Sequence, residues 1–165
     1  MAEYVKIPKQ RIPILIGTDG AVKKEIERRT GSKIDIVPGS TDIEITGKRA
    51  QDLMKARDIV TAIGRGFEPG KAMLLLGDDC VFDMLTLKGE TENTVKRLMA
   101  RVIGRRGSVR RKIERSTGAR LCIFGKTVSF IGSPEQARRA RELVEMILDG
   151  RPLQKVFVAM TEQKS

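Results

Sequence analysis

Hydrophobic positions recur along this chain with the spacing of short amphipathic helices at two places. Val22 and Ile26 lie four residues apart, as do Val109 and Ile113, so each pair shares one face of a helix. A glycine precedes and a glycine follows each predicted helix, and glycine suits the left-handed backbone of a helix end. These glycines are Gly20, Gly31, Gly107 and Gly118.

Alternation of apolar and polar residues follows the first short helix and predicts a β-hairpin, and the corresponding segments of the second copy predict the same element. In the first instance residues 33–36 and 42–45 alternate on either side of Pro38 and Gly39. In the second instance the predicted strands are residues 120–124 and 127–131. Period-two alternation indicates that one face of each hairpin is covered.

The remaining elements complete the order β-α-α-β-β-α in both halves. A longer amphipathic helix follows each hairpin, and a strand and a helix precede each short helix. The predicted strands are Tyr4 to Ile7 and Phe82 to Leu87, the preceding helices about Gln10 to Ile16 and Glu92 to Ile103, and added C-terminal helices fall within Pro69 to Leu76 and Pro152 to Met160.

The two halves also match residue by residue. Residues 17–36 and 104–123, which are offset by 87 positions, are identical at nine of twenty positions. Such an internal repeat indicates two homologous domains. We therefore predict an α+β protein of two copies, residues 1–78 and 79–165, each with a three-stranded sheet packed on helices.

The composition excludes several classes of enzyme and favours a protein that binds a polyanion. Among 165 residues, 32 are Lys or Arg, 21 are Asp or Glu and none is His, which gives a net charge of +11 and favours a polyanionic partner such as nucleic acid. The lack of histidine excludes Ser-His triads and His-ligated zinc, and we expect neither a metal nor a cofactor. The apolar neighbours of Cys80 and Cys122 predict buried thiols. No long apolar run is present, so we expect a cytoplasmic protein without membrane contact.

Two Gly-x-x-Gly segments, residues 17–20 and 104–107, lie between predicted helices. Glycine lacks a Cβ, so backbone can approach a phosphate closely, and the N-terminus of the following helix attracts an anion. The arrangement favours a site for a sugar-phosphate backbone. The bases are then expected to lie against the apolar residues of the neighbouring helix and strand.

The segment Ile103-Gly104-Arg105-Arg106-Gly107, followed by Ile113 and by residues 117–121, resembles a type I KH domain. The resemblance implies a clamp for about four nucleotides of single-stranded RNA. One position departs from the family pattern, because Arg110 and, in the first copy, Lys23 stand where an aliphatic residue is usual. The RNA-binding residues that the resemblance implies are Ile103, Gly104, Arg105, Arg106, Gly107, Val109, Leu121, Ile123 and Lys126. The positive charge beside the loop adds Arg110 and Arg111 to the predicted site.

The tandem arrangement with a Gly-Arg-Arg-Gly loop is similar to the archaeal relatives of a small-subunit ribosome assembly factor, the partner of the Nob nuclease. That resemblance implies small-subunit ribosomal RNA near its 3′ end as the target, during ribosome assembly or rRNA processing. The high Lys, Arg and Glu content resembles the composition of thermophilic proteins. Both points are consistent with an archaeal source.

The two copies differ in charge. The first carries 14 basic and 11 acidic residues, whereas the second carries 18 and 10. A carboxylate in the loop of the first copy repels phosphate, by roughly 1 kcal/mol at 4 Å in water. We therefore predict that the second copy binds RNA, and that the first is a weaker site or docks ribosome assembly or translation initiation proteins. The residues concerned in the first copy are Gly17, Thr18, Asp19, Gly20, Lys23 and Lys24.

Two alternatives stay open at this point. A protein adaptor could dock its basic face on an acidic partner, and single-stranded DNA could replace RNA because nothing in the sequence indicates a 2′-OH contact. The sequence predicts a binding protein rather than an enzyme, since no phosphate loop ending in Lys-Ser/Thr and no set of catalytic carboxylates is recognisable. We expect the protein to be a monomer.

Overall fold

The computed structural model describes residues 1–162, and the chain divides into two compact units, residues 1–78 and 79–165. Each unit is a three-stranded antiparallel sheet with helices on one face, which confirms the predicted α+β class. Among the described residues, no helix combines the length and the apolar character needed to cross a bilayer.

The first copy follows the predicted order with small shifts at its ends. Its elements are β1 (Ala2–Lys6), α1 (Ile12–Ile16), α2 (Ala21–Thr30), β2 (Lys33–Ile36), β3 (Asp42–Thr46), α3 (Ala50–Gly64) and α4 (Pro69–Ala72). Helix α1 is shorter than predicted because Pro13, which has no N–H to donate, lies in its first turn, and a 3-10 turn (Lys9–Arg11) precedes it. The predicted added helix is α4 continued by a 3-10 turn (Met73–Leu76).

The second copy matches its predicted elements closely. They are β4 (Val81–Thr86), α5 (Glu92–Ile103), α6 (Ser108–Thr117), β5 (Arg120–Phe124), β6 (Thr127–Gly132), α7 (Pro134–Leu148) and the added helix α8 (Leu153–Glu162). Helix α7 begins with a capping box in which Ser133 and Gln136 each accept from the other's backbone N–H, and this satisfies two donors at the helix start.

In each sheet the last strand of the hairpin is central. The strand order is β1-β3-β2 in the first copy and β4-β6-β5 in the second, so β2 and β5 are edge strands. The hairpin pairs Ile34 with Ile45 in the first copy and Leu121 with Phe130 in the second, and all four side chains are buried against the helices. The alternation of residues 33–36 and 42–45 therefore marks the covered face of the sheet in the first copy.

One arginine in each copy ties the helix before the Gly-x-x-Gly loop to the end of the longest helix. Arg11 donates to the carbonyls of Ile63 (2.8 Å) and Phe67 (2.9 Å). Arg101 donates to those of Ile147 (2.6 Å) and Arg151 (2.8 Å). Cations stabilise helix C-termini, where carbonyls lack partners. Arg101 thus stabilises the fold of the second copy.

Candidate nucleic-acid interface

The loop between α5 and α6 has a backbone that few residue types adopt. Gly104 has φ 74° and ψ 174°, a conformation open essentially to glycine alone. Arg106 has φ 55° and ψ 31°, and Gly107 has φ 75° and ψ 15°, both in the left-handed region. Since an arginine there is strained by about 1 kcal/mol, the surrounding structure must impose the conformation.

Val109 imposes much of it by packing against the loop from beneath. A Cβ added to Gly104 would lie 2.4 Å from Val109 Cγ2, so no larger residue fits. Val109 itself is only 4% exposed and belongs to the hydrophobic core of the second copy. This predicted RNA-binding residue therefore supports the loop and offers little surface to a ligand.

The start of α6 faces solvent without a side-chain cap. Gly107 occupies the N-cap position, where no side chain accepts from the first turn, and the first N–H groups of a helix have no intrahelical acceptors. Arg105 and Arg106 flank these groups and are exposed. Backbone donors, the positive helix end and two guanidinium groups together form a site suited to phosphate.

The two arginines that follow have different partners. Arg111 donates to the carbonyl of Arg106 (2.6 Å), so it fastens the loop to the helix while remaining exposed. Arg110 pairs with Glu114 (Nη1 to Oε1, 3.1 Å), and its side chain is 31% exposed. The positive charge of Arg110 is thus partly balanced by the protein itself.

Glu114 was not predicted from the sequence as part of the site. Its second carboxylate oxygen accepts from the backbone N–H of Leu121 (3.1 Å), on the edge strand β5. Backbone groups alternate in direction along a strand, so those of Ile123 point to the same open edge as those of Leu121. The repeat held a signal for Glu114, because it is identical to Glu27 of the first copy.

A groove of about 210 Å³ lies beside the loop. It is lined by Ile103, Arg110, Leu121, Cys122 and Ile123, of which four were predicted and Cys122 was not. The prediction of buried thiols was wrong, since Cys80 and Cys122 are both half-buried. Cys122 follows the buried Leu121 along β5, so its side chain lies on the opposite face of the strand. Leu121 is only 3% exposed, which leaves Ile103, 36% exposed, as an accessible apolar wall.

Lys126 lies in the turn between β5 and β6 and is exposed. Its backbone carbonyl accepts from Leu87 N–H (2.9 Å), which holds the turn against the end of β4. Its side chain is not among those that line the groove. The structure therefore brings together the loop, α6 and β5 and leaves Lys126 beyond the groove.

The first copy repeats this framework almost atom for atom. Gly17 has φ 74°, Asp19 φ 55° and Gly20 φ 77°, and a Cβ on Gly17 would lie 2.5 Å from Val22 Cγ2. Lys24 donates to the carbonyl of Asp19 (3.4 Å), as Arg111 does to that of Arg106.

The contact between a glutamate of the short helix and the edge strand, made by Glu114 in the second copy, is also present in the first. Lys23 pairs with Glu27 (3.6 Å), which accepts from Ile34 N–H (2.8 Å). The loop side chains differ, because Thr18 and Asp19 replace the two arginines.

The first copy also has a depression at the turn of its hairpin. A largely apolar cavity of about 320 Å³ lies between the start of α1 and the turn of the β2-β3 hairpin. Its lining residues are Lys9, Ile12, Pro13, Ile36, Val37, Pro38, Gly39, Ser40 and Thr41. Among the described residues of the chain, no group of three or more Cys, Asp or Glu side chains lies close enough together to hold a metal ion.

Comparisons with known families identify both copies. The profile of the eukaryotic-type KH domain, type I, in its form for the second PNO1 domain, matches residues 81–165, and the general KH-domain profile matches residues 2–62. The chain is 41% identical to the KH domain-containing protein MJ0443 of Methanocaldococcus jannaschii over 98% of this chain and 74% of that protein. It is 27% identical to the pre-rRNA-processing protein PNO1 of Saccharomyces cerevisiae over 81% of this chain and 46% of that protein.

Two solved structures from Pyrococcus horikoshii OT3 are also similar. The crystal structure of Dim2p superposes with a TM-score of 0.93 at 40% identity, covering 98% of this chain and 99% of that one. Dim2p in a complex with a/eIF2alpha and rRNA superposes with a TM-score of 0.94 at 40% identity, covering 99% and 94%.

Proposed function

Because the chain belongs to the type I KH-domain family, with a second domain of the PNO1 type, we propose that it binds single-stranded RNA chiefly through the Gly-x-x-Gly loop of its second copy. The observation that carries the proposal is the loop itself. Two exposed arginines and the uncapped start of α6 surround a backbone that has no Cβ at Gly104 and Gly107. Phosphate is the ligand that this set of donors suits.

The groove beside the loop supports single-stranded RNA rather than a duplex. Unpaired bases can lie against apolar side chains and hydrogen-bond along their edges. Ile103 offers an apolar wall, and the open edge of β5 at Ile123 offers a backbone donor and an acceptor. A base held there has its phosphate directed toward the loop and α6.

We further propose small-subunit ribosomal RNA near its 3′ end as the target, during rRNA processing in the cytoplasm. The relatives support rRNA as the target, since one is a pre-rRNA-processing protein and a similar Dim2p occurs in a complex with rRNA. The small subunit and the 3′ end are what the resemblance of the sequence implies. This chain spans 46% of the length of that eukaryotic relative.

The first copy has a different proposed role. Asp19 places a carboxylate at the position where the second copy has Arg106, and an apolar cavity lies by its hairpin turn. These features suit a protein surface better than phosphate. We propose that the first copy docks a ribosome assembly or translation initiation protein, consistent with the a/eIF2alpha found with the similar Dim2p.

The test replaces Arg105 and Arg106 together with Asp. We expect at least a tenfold loss of affinity for single-stranded RNA, because attraction to phosphate becomes repulsion while the backbone is unchanged. A matched control replaces Arg151 and Lys155, both exposed in the same copy and outside the loop, with Asp. Equal affinities of the loop variant and the wild type, with the fold intact by circular dichroism, would refute the assignment.

The same titration distinguishes the alternative ligands. DNA of identical sequence measures the preference for the 2′-OH, and tighter binding of DNA would contradict an RNA target. An adaptor for acidic proteins predicts that short single-stranded RNA fails to compete with the protein partner, whereas the proposed function predicts direct binding of RNA to the chain alone.

A further inference from the structure

A second depression lies on the far side of α6 from the groove, where α8 packs against it. Its volume is about 410 Å³. The lining residues come from the second half of α6 and from α8, and they are Lys112, Arg115, Ser116, Phe157, Met160 and Thr161. No acidic residue is among them, so the depression combines positive charge with an aromatic and apolar floor.

Lys112 and Phe157 define the character of this surface. The Lys112 ammonium lies 4.1 Å from the centroid of the Phe157 ring, a cation-π contact. Lys112 and Arg115 are both exposed, and no ion pair engages either within residues 1–162. Both cations are therefore available to an anion from solution, and movement of the flexible Lys112 side chain uncovers the ring.

The matching surface of the first copy carries an acidic residue in place of Lys112. Glu25 stands where the second copy has Lys112, and it lines an apolar depression between α2 and α4. Glu25 pairs with Arg28, the counterpart of Arg115, at 2.7 Å, and that hydrogen bond lowers the pKa of Glu25 below its ordinary value. Cationic character at this place is thus specific to the second copy and is not a by-product of the fold.

Basic residues of α6 extend from the proposed phosphate site toward this depression. Positive side chains wind around α6 from Arg110 on the groove side, through Arg111 at the solvent face, to Lys112 and Arg115. At 1.5 Å per residue, Ser108 and Arg115 lie about 10 Å apart along the helix axis. An RNA strand that leaves the loop around the start of α6 meets cationic surface along this path.

We propose that the depression between α6 and α8 binds a further nucleotide of the same RNA strand, outside the groove. Lys112 and Arg115 contact its phosphate, and its base stacks on Phe157. Stacking on an aromatic side chain and contact with a flexible cation are both tolerant of sequence, so this site adds affinity without base specificity. The inference rests on the proposed RNA-binding function and extends it.

The test compares two lengths of single-stranded RNA, about four nucleotides, which the groove and loop accommodate, and about ten. Replacing Lys112 and Arg115 with Met is expected to weaken binding of the longer RNA about tenfold and to leave the shorter one unchanged. The slope of log affinity against log salt should also fall, by about 0.7 for each lost phosphate contact, for the longer RNA only. Replacing Arg151 and Lys155 with Met is the matched control.

Phe157→Leu provides the second variant, because it keeps an apolar side chain against the core while removing the aromatic face. We expect about a fivefold weaker affinity for the longer RNA, together with loss of the fluorescence quenching of a 2-aminopurine placed beyond the groove-bound nucleotides. If the variants bind both RNAs as the wild type does, the depression is not an RNA site and the inference is overturned. If the wild type binds neither RNA, the proposed function itself fails.

Discussion

The two Gly-x-x-Gly loops of this molecule share a backbone and differ in chemistry. Their φ angles agree within 2° at both glycines and at the intervening left-handed residue, Asp19 or Arg106. A basic residue four positions after the second glycine fastens each loop through a carbonyl. What distinguishes the copies is the pair of side chains that the backbone carries outward.

This comparison separates the determinants of structure from those of function. Val22 and Val109 pack under the first glycine of each loop, and Glu27 and Glu114 tie the following helix to the edge strand, so these residues hold the same loop in both copies. Thr18 and Asp19, or Arg105 and Arg106, contribute almost nothing to that geometry. Ligand preference can therefore change between copies without a change of fold.

The largest expected effect comes from the residues that hold the loop. Gly17→Ala and Gly104→Ala each introduce a Cβ within 2.5 Å of a valine methyl group, at a backbone conformation open only to glycine. We expect each to lower the free energy of unfolding of its own copy by about 3 kcal/mol, combining overpacking and strain. Hydrogen exchange of the β2-β3 and β5-β6 hairpins measures the two copies separately.

Gly39→Ala and Gly125→Ala are matched controls for these substitutions. Both positions have positive φ, but an added Cβ meets nothing within 4 Å, so only the strain of about 1 kcal/mol remains. A large effect at Gly104 with a small one at Gly17 would contradict the view that one geometry supports both loops.

A smaller effect should separate the two left-handed residues. Arg106→Gly removes strain but adds freedom to the unfolded chain, so we expect a gain in stability below about 1 kcal/mol. Asp19→Gly should gain less, since Asp tolerates this conformation better than Arg. Thermal unfolding measures the stability, and RNA titration should show a severalfold loss of affinity for Arg106→Gly alone.

Unchanged RNA affinity in Arg106→Gly would assign the phosphate contact to Arg105 and the start of α6. Reduced stability of that variant would show that the Arg106 side chain stabilises the loop. Neither result would alter the finding that the two loops share one backbone conformation.

Much of the fold follows from local pattern in the sequence. Alternation over residues 33–36 marks a strand because the covered face of the sheet requires it. The glycines around α2 and α6 mark helix ends with left-handed φ. The hydrophobic pattern overestimates the length of α1, because it does not register that Pro13 lacks a backbone N–H.

The site was less predictable, for a reason of geometry. Sequence spacing indicates which face of a helix or strand a residue occupies, but not whether a neighbouring element covers that residue. Val109 and Leu121 were predicted to bind RNA, yet both side chains are buried. The contact of Glu114 with Leu121 joins two elements, and the exposure of Cys122 depends on the open edge of β5. Such properties arise from packing between elements, which no local pattern contains.

We propose that the loop of the second copy, and not that of the first, holds the RNA backbone. Titration of the 15N-labelled wild-type chain with single-stranded RNA, followed by NMR of the backbone amides, tests it without any substitution. We predict large shifts for Gly104, Gly107 and the first turn of α6, with Gly17, Gly20 and the first turn of α2 unmoved. Equal shifts at both loops, or shifts confined to the first, would contradict the account.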